Sequence, residues 1–124
     1  MKKIIQTSKA PRAVGPYSQA VEAGGLLFVS GQLGMVPGGG GLKEGIAAQT
    51  EQALENLKMI LMAGGYSLHD VVKCTVYLSN IGDFQAMNEV YARYFPENPP
   101  ARAAFQVAAL PLGALVEIEA VAAK

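Results

Sequence analysis

Cysteine, histidine and tryptophan are almost absent from this sequence of 124 residues. Cys74 is the only cysteine, His69 is the only histidine, and there is no tryptophan. One cysteine cannot form an intrachain disulfide, which favours a reducing compartment. One histidine and one cysteine are also too few for a usual zinc site. We therefore expect a cytoplasmic protein without a bound metal.

The sequence also lacks an excess of either charge and any long apolar run. Ten basic and ten acidic residues cancel, and Lys2-Lys3 is the longest basic run. Affinity for nucleic acid comes largely from neutralised phosphates, so no nucleic acid partner is expected. Only two apolar residues, Ile4-Ile5, follow the charged N-terminus. No segment approaches the roughly 20 apolar residues of a membrane span, so neither a signal peptide nor a membrane partner is expected.

Hydrophobic residues, in contrast, make up 51% of the chain. The length is typical of one domain, which we place at 1–124. This apolar content is high for a small protein that must also cover its own surface. A core rich in alanine and glycine is one explanation. Burial of apolar surface against other copies of the chain is the other.

The first half of the sequence predicts a hairpin, a loop and a helix. Gly24-Gly25 suits a tight turn between strands at 20–23 and 26–30. The second strand is apolar throughout, which predicts that both of its faces are covered. The segment 37–41 lacks the Gly-Lys-Ser/Thr of a phosphate-binding loop and is interpreted as a mobile surface loop. Apolar residues at helical spacing predict a helix over 46–63, ended by Gly64-Gly65.

The second half predicts a strand, a helix and two further strands. They lie at 71–78, 84–95, 103–108 and 115–122, with Asp83 as the cap of the helix. The order ββαβαββ, to which 3–5 would add a short strand, is typical of an α+β domain with both helices on one face of a single mixed sheet. No segment is left to cover the other face, so the topology also indicates a homo-oligomer.

Arg102 is a charged residue placed at the start of a predicted strand. Pro99-Pro100-Ala101 precedes it, and the two prolines fix the direction in which the backbone enters that strand. The planar guanidinium matches the oxygens of a carboxylate or a phosphate. Arg102 is therefore either a ligand clamp or one half of an ordinary surface salt bridge.

Glu117 and Glu119 interrupt the last predicted strand. Side chains alternate along a strand, so both carboxylates share one face. That face is either exposed or, if another subunit covers it, holds a carboxylate that needs a partner or a function. Arg102, on a nearby strand, would be a natural neighbour. A glutamate within reach of water could then serve as a general base.

The residues of a serine-hydrolase triad are present but do not form a recognisable arrangement. The sequence has no Gly-x-Ser-x-Gly nucleophile elbow around Ser30 or elsewhere. His69-Asp70 is therefore interpreted as part of an ordinary loop. Cys74 lies in a β-branched strand and is interpreted as a small buried apolar residue.

Five motifs, in order, resemble those of the Rid family of reactive intermediate deaminases, also called YjgF-type proteins. They are Gly15-Pro16-Tyr17-Ser18-Gln19-Ala20, Phe28-Val29-Ser30-Gly31-Gln32, Asp83-Phe84 with Asn88 and Tyr91, Pro100-Ala101-Arg102-Ala103-Ala104-Phe105 with Leu110-Pro111, and Val116-Glu117-Ile118-Glu119-Ala120. The resemblance covers essentially the whole chain. It implies a chorismate-mutase-like α+β domain that forms a homotrimer, with sheets packed inward and ligand sites in clefts between subunits.

The resemblance also implies an activity and a site. The activity is hydrolysis of reactive 2-imino acids, such as 2-iminopropionate formed from 2-aminoacrylate, to 2-keto acids and ammonia without a cofactor. Its role would be protection against reactive products of pyridoxal-phosphate enzymes. Arg102 would bind the substrate carboxylate, and Glu117 would position or activate the attacking water. The cleft would be lined by Tyr17, Ser30 and Asn88 and by backbone groups around Gly31 and Ala104.

One position departs from the family pattern. Many members have a cysteine two residues after the arginine, where this chain has Ala104. Binding by the backbone there would leave activity intact, whereas a redox role of the thiol would be missing. Two other functions stay open. One is a module that binds keto acids without turnover; the other is an RNA-directed translation inhibitor or endoribonuclease, which the balanced charge disfavours.

Overall fold

A six-stranded mixed sheet forms the frame of the structure. The computed structural model describes residues 1–124. In chain order the elements are β1 (Lys3–Ile5), β2 (Ala20–Ala23), β3 (Leu26–Leu33), β4 (Met35–Val36), β5 (Gly41–Leu42), α1 (Ile46–Ala63), β6 (Val71–Leu78), α2 (Phe84–Tyr94), β7 (Ala101–Gln106) and β8 (Val116–Ala123). The strand order in the large sheet is β1-β2-β3-β8-β6-β7, and only β6 and β7 run parallel.

The predicted hairpin is present, and its second strand, β3, lies in the interior of the sheet. Gly24 and Gly25 have φ angles of 59° and 78°, which residues other than glycine rarely adopt, and they join β2 to β3. β3 continues to Leu33, three residues beyond the predicted end. β7 begins at Ala101, two residues earlier than predicted, because Arg102 already pairs with Cys74 of β6.

Both helices form where the sequence predicts them. α1 has the predicted bounds, and Gly65 supplies the left-handed residue that ends it, with a φ of 81°. α2 starts at Phe84 as predicted and ends at Tyr94, one residue early. Asp83 occupies the N-cap position, but its side chain makes no capping hydrogen bond, so its predicted role as a cap is wrong. No helix of the chain is both long enough and apolar enough to cross a membrane.

The glycine-rich segment 37–41 lies at the surface, as predicted, and two short strands that we did not predict frame it. Met35 pairs with Leu42 and Val36 with Gly41, so the glycines form the turn of a second, two-stranded hairpin. The Asn56 side chain of α1 fixes the base of this hairpin, since its Nδ2 donates hydrogen bonds to the carbonyl oxygens of Leu33 (3.2 Å) and Met35 (2.9 Å). Sequence reasoning missed these strands because each has only two residues.

The core lies between the two helices and one face of the sheet, as predicted. Alternate residues of β3, β6 and β8 point toward the helices and are buried: Leu27, Val29, Cys74, Val76, Leu78, Val116, Ile118, Ala120 and Ala122. They pack with Leu54, Leu57, Ile60, Leu61, Met87, Val90 and Tyr91 of the helices. This is the mixed α+β layer arrangement expected for the sequence.

The opposite face of the sheet is open and largely apolar. Ile4, Val21, Phe28 and Val121 lie opposite one another on neighbouring strands and form one row across it. Phe28 is 46% exposed and Ile4 is 51% exposed. The prediction that both faces of β3 are covered is therefore wrong for a single chain. A folded monomer would leave this apolar face in water.

Candidate active site

Arg102 lies near the edge of the sheet on the side that carries the helices. In the sheet register it sits opposite Cys74, and its guanidinium reaches α2. The Nη1 atom donates a hydrogen bond of 2.6 Å to Oδ1 of Asn88. The guanidinium carbon lies 4.8 Å from the ring centre of Tyr91 and 5.5 Å from that of Phe84. One face of α2 thus surrounds the arginine with two rings and an amide.

The positive charge of Arg102 has no acidic partner in the chain. The only ion pair joins Lys58 to Glu55, at 3.5 Å, on the surface of α1. Arg102 is half-buried and borders a cleft of about 440 Å³, lined by Asn88, Tyr91, Ala92, Phe95, Pro99, Pro100 and Arg102. The surface salt bridge that the sequence left open as one alternative is absent. A half-buried guanidinium with free donors is suited to bind an anion.

Glu117 lies on the other, open face of the sheet. In the register it sits between Leu33 of β3 and Tyr77 of β6. Burial raises the pKa of its carboxyl group, and the negative charge of Glu119 raises that pKa further. Glu117 also borders a cavity of about 360 Å³, lined by Pro11, Arg12, Val14, Tyr17, Gln19, Gly31, Gln32, Leu33, Met35, Pro111, Leu112 and Glu117. The cavity thus brings Tyr17, Gly31 and Glu117 together.

A β-bulge at Ser30-Gly31 makes room for the Glu117 carboxylate. Val29 pairs with Ala120 and Gln32 with Ile118, so two residues of β3 stand opposite one residue of β8. A Cβ atom on Gly31 would lie 2.9 Å from Cδ of Glu117 and would clash with the carboxylate oxygen. A side chain at position 31 would therefore displace the Glu117 carboxylate from its place beside the cavity.

The same bulge ties β3 to the segment that carries Tyr17. The Oγ of Ser30 donates a hydrogen bond of 2.6 Å to the carbonyl oxygen of Ser18. The Ser30 amide donates one of 2.9 Å to the carbonyl oxygen of Gln19. Ser30 therefore holds two motifs of the sequence side by side and uses its hydroxyl in doing so.

Gln19 is a supporting residue whose role the sequence did not reveal. It is only 3% exposed. Its Oε1 accepts a hydrogen bond from the Thr7 amide (2.7 Å), and its Nε2 donates to the carbonyl oxygens of Thr7 (3.1 Å) and Pro11 (2.8 Å). These bonds fix the N-terminal segment beside Tyr17. The only sequence signal for these hydrogen bonds is a glutamine placed directly before an apolar strand.

The Glu119 carboxylate is engaged by another residue. Tyr77 donates its hydroxyl to Oε1 of Glu119 at 3.0 Å, and the Tyr77 ring packs edge-on against Phe105 with ring centres 5.5 Å apart. Glu117 has no hydrogen bond of this kind. The two glutamates share a face, as predicted, but only Glu117 has a free carboxylate beside the cavity.

Arg102 and Glu117 are not neighbours within one chain, and that prediction is wrong. Glu117 is in the row of Tyr77, which continues to Phe105 of β7. Phe105 and Arg102 are three residues apart on one strand, and an odd separation puts side chains on opposite faces. Arg102 and Asn88 therefore form one half-site, and Tyr17, Gly31 and Glu117 form another. Ala104 shares the helix side of β7 with Arg102 and packs against the core.

The remaining candidates have structural roles. Asp70 caps a short turn by accepting a hydrogen bond of 2.8 Å from the Ser67 amide, and this leaves His69 without a catalytic partner. Cys74 is fully buried, as predicted, and burial raises the pKa of its thiol. No group of three or more histidine, cysteine or acidic residues is placed to hold a metal ion.

Comparison with known proteins places this chain in a family. The family model described as Endoribonuclease L-PSP matches residues 7–124. The chain therefore belongs to this family, also called YjgF or Rid.

Individual relatives are similar over nearly their full lengths. A RutC family protein of Pyrococcus horikoshii is 54% identical over 100% of this chain and 99% of that protein. The 2-iminobutanoate/2-iminopropanoate deaminase of Homo sapiens is 52% identical over 98% of this chain and 90% of that protein. The crystal structure of RidA from an Antarctic Psychrobacter is 52% identical, covers 98% of this chain and 99% of that one, and superposes with a TM-score of 0.95.

Proposed function

We propose that this protein is a deaminase that hydrolyses 2-imino acids to 2-keto acids and ammonia. One observation carries the proposal: Arg102 presents a half-buried guanidinium that has an amide and two rings around it but no acidic partner. Such a group needs an anion, and the carboxylate of an imino acid supplies one. The human relative, at 52% identity, is named for this reaction.

We propose further that the working unit is a homotrimer with its sites between subunits. The open apolar face that carries Phe28 and Phe105 gives a reason for assembly, because its burial removes apolar surface from water. Assembly also gives the two half-sites a way to meet. The Arg102 cleft of one subunit would face the Glu117 cavity of its neighbour.

In such a site the chain's own residues account for each step. Arg102 binds the substrate carboxylate and Asn88 holds the arginine in place. The ionised Glu117 removes a proton from a water molecule while the water oxygen attacks the imine carbon. The C=N bond then becomes a single bond. Return of protons to the nitrogen lets ammonia leave as the C–N bond breaks and a C=O bond forms. The reaction consumes one water and needs no change of oxidation state.

The raised pKa of Glu117 suits this role. A general base works best when its pKa is close to the pH of the reaction, and burial moves this carboxyl in that direction from the usual range of glutamate. The apolar walls of the cavity around Val14, Leu33 and Leu112 would receive the side chain of the imino acid.

The deciding experiment measures the release of ammonia from an imine that is generated in situ. A serine dehydratase generates 2-aminoacrylate, and the rate of ammonia release is measured with and without this protein. We expect the wild type to raise the rate and Arg102→Ala to abolish the increase. Arg93→Ala, which removes an exposed arginine of α2, is the matched control and should behave as wild type. If Arg102→Ala keeps full activity as an intact oligomer, the mechanism is wrong.

A protein that only binds keto acids would be separated by Glu117→Gln. This change removes the base but keeps the shape of the side chain. A deaminase loses turnover and keeps its affinity for pyruvate, whereas a pure binder has no turnover to lose. An RNA-directed function would appear as salt-dependent binding of RNA, for which the balanced charge gives no support.

A further inference from the structure

Two aromatic residues of α2 contact the guanidinium that binds the substrate in the proposed reaction. Phe84, Asn88 and Tyr91 are spaced by four and three residues, so they share one face of the helix. The Arg102 guanidinium carbon lies within 5.5 Å of both ring centres, close enough for a cation–π contact with each. The same guanidinium is hydrogen-bonded to Asn88, which lies between Phe84 and Tyr91 along the helix.

The choice of aromatic neighbours has a chemical consequence. A carboxylate neighbour would hold Arg102 but would also take its N–H donors and neutralise its charge. Aromatic rings attract the cation through their π-faces and leave its in-plane donors free. Asn88 uses a donor on Nη1 only. The guanidinium is therefore held in one orientation with most of its five N–H donors available for a ligand.

The ring of Tyr91, and not its hydroxyl, makes these contacts. Tyr91 is 5% exposed, and its hydroxyl oxygen is buried near the Cys74 thiol and makes no hydrogen bond to Arg102. Its ring also packs on Phe95, with ring centres 4.8 Å apart. A phenylalanine could therefore supply the same surface to Arg102.

We propose that Phe84 and Tyr91 are positioning residues that hold Arg102 ready for the substrate carboxylate and thereby set the affinity for it. This inference rests on the proposed function for its physiological ligand. The binding of a carboxylate, however, can be measured without turnover.

The test compares ring removal with ring retention. Phe84→Leu and Tyr91→Leu remove a ring; Phe84→Tyr and Tyr91→Phe retain one. Tyr94→Leu is the matched control, because Tyr94 lies on the same helix but bonds to Glu55 of α1 through its hydroxyl (2.7 Å). The Kd for pyruvate is measured by NMR titration of the intact oligomer, with uncharged pyruvamide as the second probe, and the KM and kcat for imine hydrolysis are measured alongside.

We expect each leucine variant at 84 or 91 to weaken pyruvate binding about five- to thirty-fold, the range of a partly buried cation–π contact. Affinity for pyruvamide should not change, since that ligand has no carboxylate. KM should rise with Kd while kcat stays nearly constant, because the carboxylate is bound equally in the ground and transition states. The variants that retain a ring should recover most of the affinity.

Two results would overturn the inference. One is pyruvate affinity in the leucine variants equal to that of the wild type. The other is an equal loss in Tyr94→Leu or in the ring-retaining variants, which would mean that general destabilisation is the cause. The deaminase proposal is judged separately. If the pyruvate affinities of the wild type and the variants follow the expected order but the wild type does not hydrolyse imines, the deaminase proposal fails and the positioning role stands.

Discussion

The Arg102 guanidinium and the Glu117 carboxylate lie on opposite faces of the same sheet. Arg102 shares its row with Cys74 on the helix side, and Glu117 shares its row with Tyr77 on the open side. The sheet thus prevents these two opposite charges from forming an ion pair within a chain. In the assembly that we propose, a second subunit would bring the complementary half-site to each group.

A variant that cannot assemble should be inactive even though Arg102 and Glu117 are both present. We expect Phe28→Arg to give a monomer, because a charge in the middle of the open face would have to be buried on assembly. Light scattering after size exclusion gives the mass, and ammonia release gives the activity. Met62→Arg, at a position 59% exposed on α1, is the control and should change neither. An active Phe28→Arg monomer would show that the site is complete within one chain.

Two inactive variants should restore each other when their subunits mix. If each site takes Arg102 from one subunit and Glu117 from the next, a mixed trimer of Arg102→Ala and Glu117→Gln chains contains one intact site. Random mixing at equal amounts should recover about a quarter of wild-type activity, since both halves must be intact. The subunits are mixed by unfolding the two variants together and refolding them. Each variant treated alone in the same way gives the background rate of ammonia release. No recovery in trimers shown to be mixed would contradict a shared site.

The rate of hydrolysis should fall at acid pH because Glu117 must be ionised to act as a base. Burial and the charge of Glu119 raise the Glu117 pKa, so the fall should occur at a higher pH than for an ordinary glutamate. Glu119→Gln removes the neighbouring negative charge and should lower that pKa, which moves the acid limb of the kcat–pH profile to lower pH. Glu89→Gln, a change on the surface of α2, leaves the profile in place. A shift toward higher pH in Glu119→Gln would contradict this assignment.

Gly31→Ala should impair catalysis more than folding. The added Cβ meets the Glu117 carboxylate, which has to move away from its place beside the cavity. A displacement of about 1 Å in a catalytic group can cost roughly 100-fold in rate. Circular dichroism should show a folded protein, and kcat should fall. Gly64→Ala, where the Cβ would lie 3.2 Å from the buried Leu27 side chain and not beside Glu117, is the control with activity retained.

Gln19→Leu should loosen the N-terminal segment that accompanies Tyr17. The change leaves the part-buried Thr7 amide and Pro11 carbonyl without their side-chain partner. An unpaired buried polar group costs about 1–3 kcal/mol, so the free energy of unfolding in urea should fall by an amount near the lower end of that range. Gln6→Leu, at an exposed position, supplies the comparison. Equal stability of the two variants would show that these hydrogen bonds contribute little.

The parts of the fold that depend on local pattern were predictable from the sequence. The apolar spacing of α1 predicts its bounds, and the Gly24-Gly25 turn predicts the first hairpin. The bulge and the faces of Arg102 and Glu117 were not predictable, because they depend on the register between strands that are far apart in the sequence. Residue type indicated a clamp and a base. Only the paired strands show that they face in opposite directions.

The bulge in β3 also limits how the length of this chain can vary. Ser30 and Gly31 together face one residue of β8, so β3 is one residue longer than its partner over this stretch. A deletion of either residue would let the strands pair regularly, with Gln32 still opposite Ile118 and Leu33 still opposite Glu117. The side chains on both sides of the bulge would therefore keep their faces, and only the half-site beside Glu117 would change. A one-residue insertion or deletion elsewhere in β3 would instead exchange the inside of the sheet for its outside.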